Sequence, residues 1–453
     1  MMPPPQESPE ELPKGVLVAY YGDDFTGSTD VAEVLTCAGL PTVLFLDIPD
    51  AADLARFPAA RAIGIAGTAR SRTPGWMRAH LPPVFAALAA LDAPVLHYKI
   101  CSTFDSSPTI GSIGCALDLA LATTRRDWCA LVVGAPALRR YQAFGTLFAA
   151  VDGVGYRLDR HPTMAQHPVT PMAEADLRRH LAAQTAQPVA LVDLVALKQR
   201  RGGTALAAAR AGGARAVLFD VLDAETLDAT GRAIWQARGA GVLAVASSGL
   251  EYALVAHWRA AGLLAPPPPP AALAPVERLL VVSGSCAPAT AEQIAWAIAH
   301  GFVAVRLDVA AAIDPAAAAA EAARAAAAAC AALAAGRDAV VFSATGPADP
   351  ALHPLTAGEQ RAVAATLGTV LATAVRQSGI DRVVVAGGDT SGEAAGRLGL
   401  YALEAVVSLA PGGPLCRAHR RGAAPIEIAL KGGQIGGADF FGRAKQGSGG
   451  GAC

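Results

Sequence analysis

Val16-Leu17-Val18-Ala19-Tyr20-Tyr21 runs directly into Gly22-Asp23-Asp24-Phe25-Thr26-Gly27-Ser28. The first six residues are apolar and have the length of a buried strand. A polar, glycine-flanked turn follows. From about Ser28 to Ala38 the apolar residues Val31, Val34, Leu35 and Ala38 recur at helical spacing, and Gly39 stops the run. A buried strand that enters a helix through a polar turn is the repeating unit of an α/β fold.

The same alternation continues outward from this unit. Thr42–Leu46, Ala62–Ala66, Val95–Ile100 and Ala130–Val133 are short apolar runs with helical segments between them. Later in the chain Arg278–Val282, Phe302–Leu307, Ala339–Phe342, Arg382–Ala386 and Ile426–Leu430 repeat the pattern, and Pro288 falls where the first turn of a helix belongs. Short apolar strands alternating with helices predict mostly parallel sheets covered on both faces. Pro266–Pro270 is a run of five prolines, stiff and unable to join a helix or a central strand. The expectation is therefore two α/β domains, each a mostly parallel sheet flanked by helices, with a ligand cleft between them. The predicted boundaries are a solvated tail over 1–13, an N-terminal domain over 14–265, a proline-rich linker over 266–275 and a C-terminal domain over 276–453.

Composition narrows the function classes. The 453 residues are 53% hydrophobic and 17% charged, with a formal net charge of -1. Nothing in that balance recruits nucleic acid or an anionic membrane by bulk charge. The tail carries five prolines and three glutamates, with no basic or apolar region of a signal peptide. The Ala-rich stretch near 310–335 contains Asp314, Glu321 and Arg324 and reads as a surface helix, not a membrane span. None of the eight cysteines forms a Cys-x-x-Cys pair, so they read as reduced thiols in a cytoplasmic protein.

Four groups of residues carry candidate chemistry. Asp23 and Asp24 lie at the carboxyl end of a strand, where ligands bind in open α/β sheets. One carboxylate there can be held by backbone N–H groups of the helix start, and the other can accept a proton from a substrate hydroxyl. Thr68-Ala69-Arg70-Ser71-Arg72 follows another strand, and on these residues alone it reads as a solvated basic loop. Lys99 ends a further strand and is one of only five lysines; the hydroxyl-rich turn Cys101-Ser102-Thr103-Phe104-Asp105-Ser106-Ser107 comes after it. Lys99 can neutralise a substrate acid group, or the whole segment can be an ordinary turn.

The fourth group is a set of glycine-rich turns after strands of the second half. They are Ser283-Gly284-Ser285, Thr345-Gly346-Pro347, Gly387-Gly388-Asp389-Thr390-Ser391-Gly392 and Lys431-Gly432-Gly433-Gln434-Ile435-Gly436-Gly437. Glycine lets backbone N–H groups approach an anion, and a helix start adds partial positive charge. Four such turns in one domain point to a nucleotide phosphate cradle, with Asp389, Thr390 and Ser391 as contacts for phosphate or magnesium and Lys431 balancing charge. No lysine follows a glycine, and G-x-G-x-x-G, H-E-x-x-H and G-x-S-x-G are missing. A Walker A loop, a dinucleotide fold, a zincin and a serine hydrolase are thereby disfavoured.

These motifs in this order resemble the four-carbon acid sugar kinase family, from about Val16 to Gln446. Its marks are Gly22–Gly27, Val282–Ser285, Val385–Gly392, and Leu430–Gly437 followed by Asp439-Phe440-Phe441. The resemblance implies an N-terminal domain that holds a short sugar acid and a C-terminal domain that binds ATP with Mg2+. Members phosphorylate threonate, erythronate or 3-oxo-tetronate at the terminal hydroxyl, and a relative acts on 3-oxo-isoapionate. By position Asp23 and Asp24 match the family's paired acids, with Asp24 and then Asp23 as catalytic candidates. Arg70, Lys99, Ser102 and Thr103 match substrate-side residues. Ser283, Gly284, Ser285, Gly387–Gly392, Lys431, Gly432 and Gly433 match the nucleotide loops. No metal ligand is assigned, and a homo-oligomer is compatible with the sequence.

One segment departs from the family. Many members read Asp-Ser-Thr-Leu-Arg-Gly-Asn where this chain has Cys101 to Ser107. Cys101 replaces the aspartate, Asp105 replaces the arginine, and Ser106 and Ser107 stand for glycine and asparagine. The exchange of a positive for a negative charge points to a different acid, including a branched one such as 3-oxo-isoapionate. A non-catalytic sugar-acid binder and an isomerase or aldolase of a phosphorylated sugar remain as alternatives at this level.

Overall fold

A computed structural model describes residues 11–151, 153–167, 169–269, 272–350 and 354–449. Most of the expected tail and residues 270 and 271 of the expected linker lie outside the described residues. The chain divides into two units. One comprises the residues through Thr42 together with Asp47–Pro267, and the other comprises Val43–Leu46 with the residues from Pro268 onward.

The strands of the N-terminal part are β1 (Val18–Gly22), β2 (Thr42–Phe45), β3 (Ala62–Ala66), β4 (Val95–Lys99), β5 (Cys129–Val132), β6 (Arg140–Ala143), β7 (Thr146–Val151), β8 (Val154–Arg157), β9 (Val189–Val192), β10 (Ala216–Phe219) and β11 (Val242–Ala246). In this unit the main sheet has the order β3-β1-β4-β11-β5-β10-β9, and every pair within it is parallel. All residues of β1, β4 and β11 are buried, as the apolar runs require of strands covered on both faces. The helix Phe25–Cys37 lays Val31, Ala32, Val34 and Leu35 against this sheet. β6, β7 and β8 form a separate antiparallel sheet.

The C-terminal unit contains β12 (Leu280–Ser283), β13 (Val303–Arg306), β14 (Ala339–Phe342), β15 (Arg382–Ala386), β16 (Leu400–Ala410), β17 (Gly413–Arg420) and β18 (Ala423–Lys431). Its order is β13-β14-β12-β15-β18-β17-β16. The pairs from β13 through β15 to β18 are parallel, and β18-β17-β16 is an antiparallel meander. The strand expected over Thr42–Leu46 forms, and it pairs antiparallel with β16 through Leu44 with Leu403 and Phe45 with Ala402. Its four residues are all buried, so its backbone needs a ladder partner, which the outer side of β16 supplies.

The expected α/β class with mostly parallel sheets flanked by helices holds. The Ala-rich helix spans Ala318–Ala334 and buries Ala322, Ala325, Ala329 and Leu333 on one face, so it is a surface helix with a packed side. Among the described residues no helix is long and apolar enough to cross a membrane. Among the described residues six cysteines are free thiols and Cys37 is disulfide-bonded, which corrects the expectation of reduced thiols throughout.

Candidate active site

Three turns at the carboxyl ends of β1, β3 and β4 are tied together in the N-terminal unit. The Asp23 amide donates to the Lys99 carbonyl at 2.9 Å, and the Arg70 amide donates to the Asp23 carbonyl at 2.9 Å. Parallel strands place these turns at one edge of the sheet, so residues distant in sequence meet there.

Asp24 caps the helix that starts at Phe25. Its Oδ1 accepts from the Gly27 amide at 2.9 Å, and its Oδ2 accepts from the Thr26 hydroxyl at 2.9 Å. Arg70 Nη2 lies 2.7 Å from Asp24 Oδ1, and the Asp24 side chain keeps 26% exposure. Asp23 is almost fully buried. Arg70 grips it with two donors, Nη2 to Oδ1 at 2.6 Å and Nε to Oδ2 at 3.3 Å. Burial pushes the Asp23 carboxyl up to about 6, against the opposing pull of Arg70. For Asp24, burial is outweighed by Arg70, Lys99 and the two cap hydrogen bonds, and its carboxyl stays below the ordinary value. The two acids are therefore set apart: one partly buried and ionised, one fully buried and close to protonation.

Arg70 thus holds the acid pair. Lys99 is also buried, with Nζ 3.7 Å from Asp30 Oδ2. A Cβ on Gly27 would come within 2.3 Å of Asp24 Oδ1 and 2.9 Å of Lys99 Nζ, so glycine there lets the acid and the amine share one corner. In the next turn Cys101 Sγ lies 2.9 Å from the Thr103 hydroxyl, which donates to Asp105 Oδ1 at 2.8 Å. Burial, together with Asp105, pushes the Cys101 thiol up to about 11, so it is a thiol and not a nucleophile. Ser102 is half-buried in the same turn. Asp30 was missed from sequence, although it sits one helical turn beyond Gly27 on the same face. Its Oδ1 is buried without a partner among the described residues.

In the C-terminal unit the four glycine-rich turns follow β12, β14, β15 and β18, a parallel set, so all four emerge at one sheet edge. There a cavity of about 590 Å³ is lined by Gly284, Ser285, Gly387, Gly388, Asp389, Thr390 and Gly433. Ser343 and Ala344 also line it, whereas Thr345 turns away to bind Asp349. The opposite wall is apolar, with Val309, Leu355 and Val363. A polar cradle facing an apolar wall, at this volume, suits a ligand with a phosphate end and a flat ring.

Gly387 adopts φ 115° and ψ 133° as the cap of the helix Gly388–Arg397. The first amides of that helix face the cavity without helical partners, which is an anion-binding arrangement. A Cβ on Gly387 would lie 3.5 Å from Gly284 C and Ser285 N, at ordinary contact, so backbone conformation is what excludes other residues. Replacing Gly387 with Ala is expected to cost about 1–3 kcal/mol of strain, read as a lower Tm together with weaker nucleotide binding. An unchanged Tm would show that the conformation is not required.

Ser283, Ser391 and Lys431 do not line this cavity; all three are fully buried behind it, and Gly392 and Gly432 are also absent from its lining. The Ser391 hydroxyl donates to the Gly387 carbonyl at 2.8 Å, and Ser283 Oγ accepts from the Ser285 amide at 3.4 Å. Lys431 Nζ donates to the Thr290 hydroxyl at 3.1 Å, and that hydroxyl donates to the Gly433 carbonyl at 2.7 Å. Burial pulls the Lys431 ammonium down to about 7. Lys431 therefore braces the loop that carries Gly433. The apolar wall carried no local signal in the sequence, because its residues come from separate segments.

Comparisons with known proteins match two stretches of the chain to two families. Residues 18–254 match the sugar-binding N-terminal domain family, and residues 280–441 match the nucleotide-binding C-terminal domain family. The chain is 52% identical to a Paraburkholderia graminis protein named 3-oxo-isoapionate kinase, over 96% of this chain and 95% of that one. It is 35% identical to a 3-oxo-tetronate kinase of Methylobacterium radiotolerans, over 93% of this chain and 97% of that one. A Salmonella typhimurium structure described as a putative tRNA synthase superposes with TM-score 0.79 at 26% identity, covering 94% of this chain and 98% of that one. A Haemophilus influenzae structure shares the fold, with TM-score 0.70 at 24% identity over 94% of this chain and 99% of that one. With both domain families matched in order and a relative half identical along nearly its full length, the chain belongs to the four-carbon acid sugar kinase family, a family of phosphotransferases.

Proposed function

We propose that the protein transfers the γ-phosphate of ATP to a hydroxyl of a short 3-oxo sugar acid, with a branched acid of the 3-oxo-isoapionate kind as the first candidate. The observation that carries the reading is the partly exposed, ionised Asp24, fixed by Arg70, Thr26 and Gly27 at a sheet edge in the unit that matches the sugar-binding family. The name of the relative at 52% identity supports the branched acid over the linear one, whose kinases match at 35% or less.

In this account Asp24 takes the proton of the attacking hydroxyl. The hydroxyl oxygen bonds to the γ-phosphorus as the bond to the β–γ bridging oxygen breaks, and ADP leaves. Arg70 fixes Asp24 and keeps Asp23 beside it. The amides of Gly388 to Thr390 and the turns of Gly284 and Gly433 hold the phosphates. Among the described residues no group of three or more acidic, histidine or cysteine side chains can hold a metal unaided. Mg2+ suits the site nonetheless, because it takes one or two carboxylates and completes its shell with phosphate and water. Asp389, on the cavity wall, would hold it. When bound it supplies charge neutralisation for the phosphates. The cytoplasm, where ATP is abundant, is the compartment this reading calls for.

The activity is expected to fall in acid with a limb near pH 6. Asp24 stays ionised across that range, whereas Asp23 takes up a proton near 6 and loosens its grip on Arg70. The limb belongs to the coupled pair, and Asp23→Asn should shift or abolish it in a profile of kcat/KM. The sign for stability is opposite. A carboxyl raised in the fold favours the protonated state, so its stabilising contribution is full below about pH 4 and is lost as pH rises through 6.

Coupled ADP release, measured with 3-oxo-isoapionate, 3-oxo-tetronate, threonate and erythronate, tests the reading. The highest kcat/KM is expected for the branched 3-oxo acid. A protein that releases ADP with none of them is not the kinase described here.

A further inference from the structure

The acid group of the substrate needs a cation, and the residues around Asp24 leave few. Arg70 is held by both carboxylates, at 2.6 Å from Asp23 and 2.7 Å from Asp24. Lys99 is 3% exposed and faces Asp30. A third cation stands at the same sheet edge. β4 and β5 flank β11, all three parallel, so the turn after β4 and the segment after β5 emerge at the same sheet edge, one strand apart. That segment folds back at once: the Ala135 amide donates to the Arg140 carbonyl at 2.9 Å, and the Arg140 amide donates to the Ala135 carbonyl at 3.1 Å. Arg140 is thereby fixed just beyond the end of β5.

Arg140 Nη1 donates to the Leu138 carbonyl at 2.9 Å and the Arg139 carbonyl at 3.3 Å, and no carboxylate pairs with it among the described residues. Its Nε is buried and has no partner among them either. A buried guanidinium N–H left without an acceptor is costly unless a ligand supplies one. Arg140 also lies within electrostatic reach of Cys101 and Asp105, the two residues that end the hydroxyl chain through Thr103. The Cys101 thiol carries no charge, no ion pair joins Arg140 to Asp105, and the guanidinium keeps unused N–H donors.

We propose that Arg140 is the residue that binds the carboxylate of the sugar acid, with the Cys101-Thr103-Asp105 chain forming the wall beside it. The assignment rests on the reading of the protein as a sugar acid kinase. Planar guanidinium and carboxylate can meet through two parallel hydrogen bonds, which gives both affinity and a fixed orientation. Arg140 would then decide between an acid and a neutral polyol of the same shape.

Calorimetric binding of 3-oxo-isoapionate and its neutral primary amide, to the full chain and to Arg140→Gln and Arg140→Lys, tests the assignment. The wild type is expected to prefer the acid by roughly tenfold or more. Arg140→Gln should lose that preference while its affinity for the amide and for ATP stays within about twofold. Arg140→Lys should keep part of it, and it serves as the readout if the glutamine variant does not fold. Retention of the acid preference in both variants overturns the assignment, as does an equal loss for acid and amide. A wild type that shows the Arg140-dependent preference but transfers no phosphate leaves the assignment standing and removes the kinase reading. A wild type that binds neither compound removes both.

Discussion

Replacing Asp24 with asparagine is expected to lower kcat by roughly 10²–10⁴-fold, the usual contribution of a positioned general base. The substitution isolates chemistry from folding. Asparagine is as good a helix cap as aspartate, so its Oδ1 can still accept from the Gly27 amide and face Arg70 Nη2. Its amide nitrogen replaces Oδ2, and the Thr26 hydroxyl can rotate to accept where it now donates. What the variant lacks is a site for the substrate proton and one negative charge beside Lys99. ATP affinity and Tm should change little. A kcat within tenfold of the wild type would move the base to Asp23, and Asp23→Asn would then be the decisive variant.

Arg70→Met is expected to destabilise the fold by about 3 kcal/mol near pH 8, the low end for removing one partner of a buried ion pair. The low end applies because the guanidinium is 23% exposed and Asp24 is 26% exposed, whereas only Asp23 is fully enclosed. The loss should depend on pH. Without Arg70 the Asp23 carboxyl, already at about 6, rises further and accepts a proton at mild acidity. Protonation removes the uncompensated charge, so the destabilisation relative to the wild type should shrink towards pH 5. Denaturant unfolding at pH 8 and pH 5 measures both values. Equal losses at the two pH values would mean that Arg70 contributes packing, not charge compensation.

Much of the architecture can be read from the chain because parallel strands covered on both faces leave an unmistakable trace. Ala62–Ala66, Ala339–Phe342 and Arg382–Ala386 are short apolar runs bounded by turns, and each forms over the residues expected. The meander from Leu400 to Lys431 breaks that pattern. Its strands are 11, 8 and 9 residues long; β18 covers the strand expected over Ile426–Leu430, whereas β16, half of which alternates between buried and partly buried, and β17 carry a period-two signal that strand–helix alternation does not contain. The small sheet of β6 to β8 was missed as well, since its strands are short and partly exposed.

The candidate site divides in the same way. Adjacent aspartates at a strand end and glycines after strands are local features, visible without a fold. Partnership is not. Asp23 and Arg70 lie 47 positions apart, and only the pairing of β1 with β3 shows that the guanidinium serves the acids. Lys431 has the residue type of a phosphate ligand, yet its place at the last position of a fully buried strand end puts it under the loop. Asp30 and Arg140 carry no motif; one buried polar atom on each, without a partner among the described residues, is what marks them.

The central claim is direct transfer of the γ-phosphate to a sugar acid, with Asp24 receiving the proton. Label from γ-³²P ATP, followed into products of the reaction with 3-oxo-isoapionate, tests it most directly. The account predicts label in a phosphorylated sugar acid, formed by the wild type and lost in Asp24→Asn. Label found only in inorganic phosphate, or consumption of the acid without ATP, would contradict it.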